Sequence, residues 1–424
     1  MKPMNVPAFS LDRQTKTMRT KLLGALENVL DSQQFIGGKF VAAFEKQLAE
    51  YLNVKHVISC NSGTDALLMA LQAVQPTQFN AHVSSTLLPL LGKIVITTPF
   101  SFIASCSEIV ALGGNPLFID IEPGTFNIDP KLLTEWLEQN AELKNSKAIH
   151  KQSGMPIVGM IPVDLFGQCA DYAALQTIAD QWNLWIVEDT AQALGADING
   201  KRAGTFGQVG AISFYPTKNL GAFGDAGCCV TNDDILADRL LQNRHHGRAL
   251  VGGAYNYVDL GLNSRLDAFQ AALLSVKLPH LDDANKRRAE IAERYNAALG
   301  AIPFIRVPQQ IVGTHVYHQY SIVVQDLGGT SCRDALATCL TERGVQTRIF
   351  YPEPLSALRF LQTHPALETT CPLATSVSRS VLALPMWPEL EDNEVDYVIS
   401  CVQEWATEFG KNIASSKQTH VQCL

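Results

Sequence analysis

The sequence lacks the features that mark extracellular proteins and metal-centred proteins. Its 10 cysteines are scattered, with no CxxC pair and no spacing typical of a disulfide framework or a zinc site. Its 10 histidines include no HxxxH pair, the spacing with which a helix presents two metal ligands. These absences predict a protein without a metal site, in a reduced, cytoplasmic environment.

Basic clusters and long apolar runs are also missing. The 33 lysines and arginines are outnumbered by 41 acidic residues, which gives a net charge of −8. The densest basic run, NKRRAE at 285–290, is typical of the solvated side of a helix. Nucleic-acid binding needs a basic face, so no nucleic-acid partner is expected. No apolar stretch has the length of a membrane helix or the pattern of a signal peptide, so no membrane association is expected.

The first half of the chain instead has an alternating pattern. From about residue 55 to 230, short apolar runs alternate with amphipathic segments. The runs are HVISC, KIVITTPF, NPLFIDI, IVGMIPVDLF, LWIVEDT, AISFYP and CCVTND. This alternation predicts βα units around a mostly parallel sheet covered by helices on both faces. Two amphipathic helices precede it, and the first is expected to bury Leu22, Leu26, Val29 and Leu30 on one face.

The last third of the chain has a different pattern. A long helical stretch, bent at Pro279, leads out of the α/β region. The segments that follow are a strand in YHQYSIVV, a helix at 332–343, a strand in VQTRIFY, and helices near 373–383 and 392–408. The pattern predicts two domains. Residues 1–280 form a large domain, 281–410 a smaller α+β domain and 411–424 a mobile tail.

Three predicted strand ends carry groups that could bind a ligand. In VISCNSGTDAL, residues 61–64 lead into a helix whose N-terminus suits a phosphate, although an ordinary helix cap fits the same residues. LWIVEDT ends in Asp189, either a helix cap or the partner of a protonated ring nitrogen. SFYPTKNLGAFGDAG, at 213–227, places Lys218 before three glycines. That lysine is either an ordinary surface residue or a reactive amine on a sharply shaped loop.

Taken together, these groups indicate one cofactor. A phosphate cradle, an acid and a lysine are the three anchors of a pyridoxal 5′-phosphate enzyme. All three follow strands of the predicted sheet, and parallel α/β sheets bind ligands at the carboxyl ends of their strands. Opposite charges about 4 Å apart attract by roughly 4 kcal/mol at an effective dielectric constant near 20, enough to keep a pyridine ring protonated.

Motifs along the chain match one family in order. The stretches are FIGGKFVAAFEKQLAEYL, NSGTDAL, TTPFSFIAS, IPVDLFGQCAD, VEDTAQALGA, SFYPTKNLGAFGDAG, GLNSRLDAFQAA, YPEPL and LALPMWPEL. From about residue 9 to 405 the sequence resembles the DegT/DnrJ/EryC1/StrS family of sugar aminotransferases. The resemblance implies an α/β fold of fold type I, with a mostly parallel seven-stranded sheet in the large domain and a smaller α+β C-terminal domain.

The resemblance also implies a role for individual residues. Lys218 is similar to the catalytic lysine that forms a Schiff base with the cofactor, and Asp189 to the partner of the pyridine nitrogen. Gln192 would lie near the ring hydroxyl and Phe102 would stack on the ring. The residues implied to bind the cofactor phosphate are Gly63, Thr64 and Ser213 from the same subunit, and Asn263 from the partner of a homodimer with composite active sites.

The reaction implied by the resemblance is a transamination. An amino acid, by family habit L-glutamate, gives its amino group to the ketone of a nucleotide-linked sugar. GLNSRLD and GQCAD resemble members that aminate C3, and the nearest types use UDP-2-acetamido-3-oxo-glucuronate or a dTDP-3-oxo-6-deoxyhexose. Arg265 and Tyr351 would contact the sugar or nucleotide, although Arg265 could equally form a structural salt bridge.

Two other functions remain open at this point. One is a pyridoxal phosphate-dependent sugar dehydratase, a branch of the family in which histidine replaces the lysine, so Lys218 argues against it. The other is a cofactor-binding regulator without turnover. The chain also departs from the family pattern at two insertions, 75–93 and 150–155, and at Phe350 and Ser356, where histidines are frequent. The insertions could form a lid or an interface, or simply cover surface.

Overall fold

The structure is a computed structural model that describes residues 3–75, 88–253, 255–326, 331–363 and 370–421. Most of the insertion predicted at 75–93 therefore lies outside the described residues. The described α-helices are α1 (Asp12–Ser32), α2 (Gly38–Leu52), α3 (Gly63–Ala73), α4 (Ala104–Ala111), α5 (Pro130–Asn140), α6 (Tyr172–Trp182), α7 (Asp234–Asn243), α8 (Ala268–Lys277), α9 (Leu281–Leu299), α10 (Cys332–Glu342), α11 (Pro372–Ser380) and α12 (Asp392–Val421).

The strands form one large sheet, one small sheet and a short hairpin. They are β1 (His56–Cys60), β2 (Ile94–Thr97), β3 (Asn115–Phe118), β4 (Ala141–Lys144), β5 (Lys147–His150), β6 (Pro156–Ile161), β7 (Trp185–Asp189), β8 (Asp197–Ile198), β9 (Lys201–Arg202), β10 (Val209–Ser213), β11 (Gly227–Thr231), β12 (Ile305–Arg306), β13 (Tyr320–Val324) and β14 (Val381–Leu384). Each of the seven apolar runs of the α/β region overlaps one of these strands, as predicted.

The large sheet has the strand order β1-β11-β10-β7-β6-β2-β3. Neighbours from β10 to β3 are parallel, whereas β11 runs antiparallel to both β10 and β1. This seven-strand path is the mostly parallel sheet expected from the sequence. The hairpin of β4 and β5 pairs with the start of β6 and brings the total to nine strands. Residues 150–155, the second predicted insertion, lead from this hairpin into β6.

Both faces of the sheet are buried, because apolar side chains alternate between two helical layers. In β2, Ile94 and Ile96 pack in the cluster with α5 and α6, while Val95 packs on the opposite face with α3 and α4. All three side chains are fully buried. The alternation follows from the two-residue period of a strand, and burial on both sides explains why the runs read as continuously apolar.

The N-terminal helices and the linking helices agree with the sequence pattern, with one correction. α8 ends at Lys277 and α9 begins at Leu281, so the predicted bend at Pro279 is confirmed. In α1, Leu22 and Val29 are buried, but the expectation that Leu30 is buried was wrong, since 49% of it is exposed.

The C-terminal part is an antiparallel sheet of order β12-β13-β14 packed with α9, α10 and α12. Val6, from the N-terminal segment, is buried in the same cluster. The strand predicted in VQTRIFY was wrong, because Val345 and Arg348 form only isolated bridges, to Val6 and to Ala383. The helix predicted near 373–383 ends at Ser380, since the four apolar residues after it form β14.

The last helix extends through the segment assigned to the tail, as far as Val421. The mobility of residues 411–424 and the domain boundary at 280 remain predictions. Within the residues that the structure describes, no helix is both long and apolar enough to cross a membrane.

Candidate active site

The carboxyl ends of the central strands meet around Gly227, the first residue of β11. Gly227 lies opposite Cys60, the last residue of β1, and opposite Ser213, the last residue of β10. The turn that follows Cys60 leads into α3, so the first turn of that helix lies beside Ser213. The register of three strands therefore brings together the residues that were predicted to bind a phosphate.

Glycine allows the close packing at this point. A Cβ atom on Gly63 would lie 2.6 Å from the Cβ of Ser213, and one on Gly227 would overlap the backbone of Ser62. Ser62 caps α3 by accepting a hydrogen bond from the N–H of Asp65 at 3.0 Å. The first N–H groups of a helix have no partner within it, and they attract anions. Gly63, Thr64 and Ser213 thus surround a site suited to a phosphate.

Asp189 ends β7 and is 5% exposed. Its Oδ2 accepts a hydrogen bond of 2.7 Å from the Ser105 hydroxyl, and its Oδ1 accepts one of 3.2 Å from the N–H of Ala191. Burial raises the pKa of Asp189, whereas the two donors and the charge of Lys218 lower it. The carboxylate and the lysine are therefore close enough to interact.

Lys218 lies in the loop after β10, where its N–H bonds the carbonyl of Tyr215 at 2.8 Å. Loss of hydration lowers the pKa of its amine to about 8, although the attraction of Asp189 opposes the shift. A lysine with such a pKa is largely unprotonated in mildly alkaline solution and can act as a nucleophile or base.

A neutral histidine holds the residue after the lysine. Asn219 donates through Nδ2 to the carbonyl of Val316 and to Asn285, so its Oδ1 is left to accept from Nδ1 of His318 at 3.1 Å. Burial and the charge of Lys218 lower the pKa of His318 well below its ordinary value. His318 therefore fixes the lysine loop without adding a positive charge to the site.

Two predicted site residues, Gln192 and Tyr351, are hydrogen-bonded to each other. Gln192 donates to the hydroxyl of Tyr351 at 3.0 Å and accepts from the N–H of Phe166 at 2.9 Å. Tyr351 also packs edge-on against Phe100, just after β2. The C-terminal part of the chain thereby closes over the carboxyl edge of the large sheet.

The remaining predicted residues lie around this centre or beside it. Phe102 follows β2 with 54% of its surface exposed, so its ring is available to a ligand. Asn263 is exposed and forms an isolated bridge with His245. The Nε atom of Arg265 is buried without a hydrogen-bond partner in the described part of the chain. The structure does not bring Arg265 into hydrogen-bond contact with Lys218 or Asp189.

Sequence reasoning missed a buried acid pair behind Asp189. Burial and the charge of Glu188 raise the pKa of Asp164 well above its ordinary value, and burial also raises the pKa of Glu188. The donors to Asp164 are Ala170, Tyr172 and Thr190, and the donors to Glu188 are the N–H groups of Gly204, Phe206 and Gly207. These bonds tie the end of β7 to the loop after β6 and to residues 204–207. The adjacency of Glu188 to Asp189 was visible in the sequence, but its partner was not.

A sheet that brings a lysine, a carboxylate and a helix N-terminus to one edge defines the fold-type I class of pyridoxal phosphate enzymes. The chain belongs to the DegT/DnrJ/EryC1/StrS aminotransferase family, whose model matches residues 16–403. The family, fold class, aminotransferase activity and cofactor expected from the sequence are thereby confirmed.

Three relatives show the range of names in this family. The chain is 38% identical over 409 residues to the "Pleiotropic regulatory protein" of Geobacillus stearothermophilus, covering 96% of this chain and 100% of the relative. It is 35% identical to the dTDP-3-amino-3,4,6-trideoxy-alpha-D-glucose transaminase of Streptomyces venezuelae, with 95% and 96% covered. It is 32% identical to the UDP-2-acetamido-2-deoxy-3-oxo-D-glucuronate aminotransferase of Pseudomonas aeruginosa, with 93% and 98% covered.

A solved structure shows the same similarity in three dimensions. The crystal structure of S. venezuelae DesV in complex with a ketimine intermediate is 34% identical in sequence and superposes with a TM-score of 0.82. The match covers 95% of this chain and 98% of that chain.

Proposed function

We propose that this aminotransferase moves the amino group of L-glutamate to the C3 ketone of a UDP- or dTDP-linked sugar. The observation that carries the proposal is the half-buried Lys218, with a pKa near 8, facing the buried Asp189 at the carboxyl ends of the sheet. The relatives named as transaminases of dTDP- and UDP-linked 3-amino or 3-oxo sugars support the substrate class.

The residues present fit pyridoxal 5′-phosphate. Gly63 and Gly227 leave the space that a Cβ would fill beside Ser213, and the first turn of α3 offers N–H donors to the phosphate. Asp189 would accept the hydrogen bond of the pyridinium nitrogen, Gln192 would bond the ring hydroxyl and Phe102 would cover the ring. When bound, the cofactor supplies an electron-withdrawing ring and a carbon that carries the amino group between substrates.

The residues of the chain then supply the proton transfers and the orientation. Lys218 would hold the cofactor through its Nζ, and that Nζ, once free, would accept the proton from the α-carbon of the donor amino acid. Such general base catalysis typically contributes 10²- to 10⁴-fold in rate. Asp189, which accepts a hydrogen bond from Ser105, would hold positive charge on the ring nitrogen. Tyr351, which is hydrogen-bonded to Gln192, is proposed to contact the sugar or its diphosphate. The same is proposed for Arg265, whose Nε has no hydrogen-bond partner among the described residues.

We further propose a homodimer with composite active sites. The loop between α7 and α8 exposes large apolar side chains, among them Val251 at 84% and Tyr255 at 88%. Large apolar side chains exposed on one loop are typical of a protein interface. Asn263 lies at the end of this loop and would reach the cofactor phosphate of the partner subunit. The free, buried thiols of Cys60, Cys228 and Cys229 support a reducing, cytoplasmic location.

The test follows nitrogen from donor to product. The purified protein is incubated with ¹⁵N-labelled L-glutamate and a panel of UDP- and dTDP-linked 3-oxo and 4-oxo sugars, and the products are measured by mass spectrometry. We expect label in a 3-amino sugar and one equivalent of 2-oxoglutarate, with no transfer by Lys218→Ala. Label in a 4-amino sugar would refute the position. Loss of a sugar hydroxyl without 2-oxoglutarate would indicate a dehydratase.

One relative's regulatory name gives a second candidate, a cofactor-binding regulator without turnover. This alternative predicts a yellow protein whose colour no amino acid bleaches. We expect the colour to bleach on addition of glutamate, because Lys218 and Asp189 are both present and near each other.

A further inference from the structure

A chain of two buried hydroxyls ends on Asp189. Ser101 and Ser105 are 2% and 0% exposed, and their Oγ atoms are 3.0 Å apart. Ser105 lies in α4, whereas Asp189 ends β7, so the contact joins a helix to the strand that carries the carboxylate.

The direction of the hydrogen bonds follows from the acceptor. An ionised carboxylate has no proton, so the hydroxyl of Ser105 must donate to Oδ2 of Asp189. Ser105 has then used its only proton, and Ser101 must donate to Ser105. Hydrogen bonds arranged in such a chain strengthen one another.

The bond from Ser105 is the stronger of the two hydrogen bonds that the described residues donate to the Asp189 carboxylate. At 2.7 Å it has the length of a charge-assisted O–H···O bond, whereas the bond from the N–H of Ala191 is 3.2 Å long. Burial favours the neutral acid. A buried carboxylate that must face a pyridinium therefore depends on the serine to remain charged.

We propose that Ser105, supported by Ser101, is a positioning residue that keeps Asp189 ionised and aimed at the ring nitrogen of the cofactor. Ser105 does not touch the cofactor in this arrangement and acts only through Asp189. The inference rests on the role proposed for Asp189 in the previous subsection.

If Ser105 has this role, its removal should weaken binding only of ligands that have the ring nitrogen. Without the Ser105 hydroxyl, Asp189 gains a proton more easily and loses its fixed orientation, so it stabilises a pyridinium less. A ligand with carbon in place of the ring nitrogen offers Asp189 no hydrogen bond and should bind as before. A general loosening of the site would instead weaken both ligands.

The experiment measures binding of pyridoxamine 5′-phosphate and of its 1-deaza analogue to the cofactor-free, full-length chain by calorimetry. Neither ligand forms a covalent bond with Lys218, so the calorimetry measures binding without turnover. For Ser105→Ala we expect the preference for pyridoxamine phosphate over the analogue to fall about tenfold, as for loss of a hydrogen bond to a charged group. Ser105→Thr, which keeps a hydroxyl, should restore the preference, and Ser101→Ala should lower it less.

Controls separate this role from folding and from the proposed function. Ser378→Ala removes a buried hydroxyl that bonds only within α11, and it should leave the preference unchanged. If Ser105→Ala weakens both ligands equally, or neither, the positioning role is overturned. If the unaltered protein and Asp189→Asn show the same preference, the role of Asp189 itself fails, and the inference fails with it.

Discussion

The pKa values of Lys218 and Asp189 are both shifted from their ordinary values, and the main cause is the same, the loss of hydration on burial. Burial lowers the pKa of the lysine to about 8 and raises that of the aspartate. Each charge also opposes the shift of the other group's pKa. The outcome is an amine that can lose its proton near physiological pH beside an acid that is still able to carry charge.

This balance predicts the pH dependence of the lysine. As the pH rises through about 8, the amine of Lys218 loses its proton and becomes able to attack an aldehyde. We expect the rate of Schiff-base formation between the cofactor-free protein and pyridoxal to reach half its maximum near pH 8. An unperturbed lysine would titrate more than two pH units higher, near 10.4. The measurement is the growth of imine absorbance with pH. Borohydride trapping and peptide mapping assign the adduct, and a midpoint above pH 10 would contradict the structure.

At the residue scale, the sequence predicted the groups with a direct chemical role better than the groups behind them. Lys218 and Asp189 follow apolar strands and stand in motifs, so their type and position were informative. Ser105 and Asp164 act by hydrogen bonds across elements far apart in sequence, to residues 189 and 188. Local patterns contain no information about such pairs, which depend on how β6, β7 and α4 pack.

The proposed phosphate site depends on the register in which β11 pairs with β1 and with β10. Because Gly227 pairs with both Cys60 and Ser213, a change in either pairing would move α3 away from the lysine loop. A shift by one residue in a strand also turns each side chain to the opposite face of the sheet. The phosphate site and the strand order are thus parts of the same arrangement.

Added side-chain volume at this register should damage both stability and cofactor binding. In Gly227→Ala the new methyl group meets the backbone of Ser62, and in Gly63→Ala it meets the Cβ of Ser213. We expect each variant to lose about 1–3 kcal/mol of stability in urea unfolding, the usual cost of overpacking, and to bind pyridoxal phosphate more weakly. Gly24→Ala is the matched control, since nothing lies within 4 Å of its added methyl group. Wild-type binding by both site variants would show that the cradle is not the phosphate site.

At the element scale, the sequence predicted the seven strands of the α/β region because continuous apolar runs of this length are typical of buried strands. It failed for VQTRIFY, although the segment is rich in β-forming residues. Val345 and Arg348 bridge to different parts of the chain, so no ladder forms. The existence of a strand depends on a partner, and the partner is not encoded in the segment itself.

The molecule as a whole presents a loop, residues 247–253 and 255–260, whose large apolar side chains its own core does not cover. Leu250, Tyr257 and Leu260 are exposed by 47%, 54% and 52%, beside the more exposed Val251 and Tyr255. The loop leads directly to Asn263. The proposed dimer would bury this surface and would also bring Asn263 to the active site of the partner subunit.

Composite sites can be tested by mixing two defective subunits. Lys218→Ala and Asn263→Ala are each expected to be nearly inactive as homodimers. In a heterodimer, the Asn263→Ala subunit supplies Lys218 and receives Asn263 from its partner, so one site is intact. Co-expression should therefore restore about one quarter of wild-type activity, since half of randomly paired dimers are heterodimers with one such site. If Asn263 served its own subunit, no activity would return.

The pairing of β1 with β11 has a consequence for how the chain is made. β1 is complete at residue 60, but the strand that pairs with it begins at residue 227. At ordinary translation speeds of 5–20 residues per second, the nascent strand waits roughly 10 to 30 s on the ribosome for its neighbour. During that interval its backbone groups are open to other chains. The yield of folded protein therefore depends on what shields this strand during synthesis.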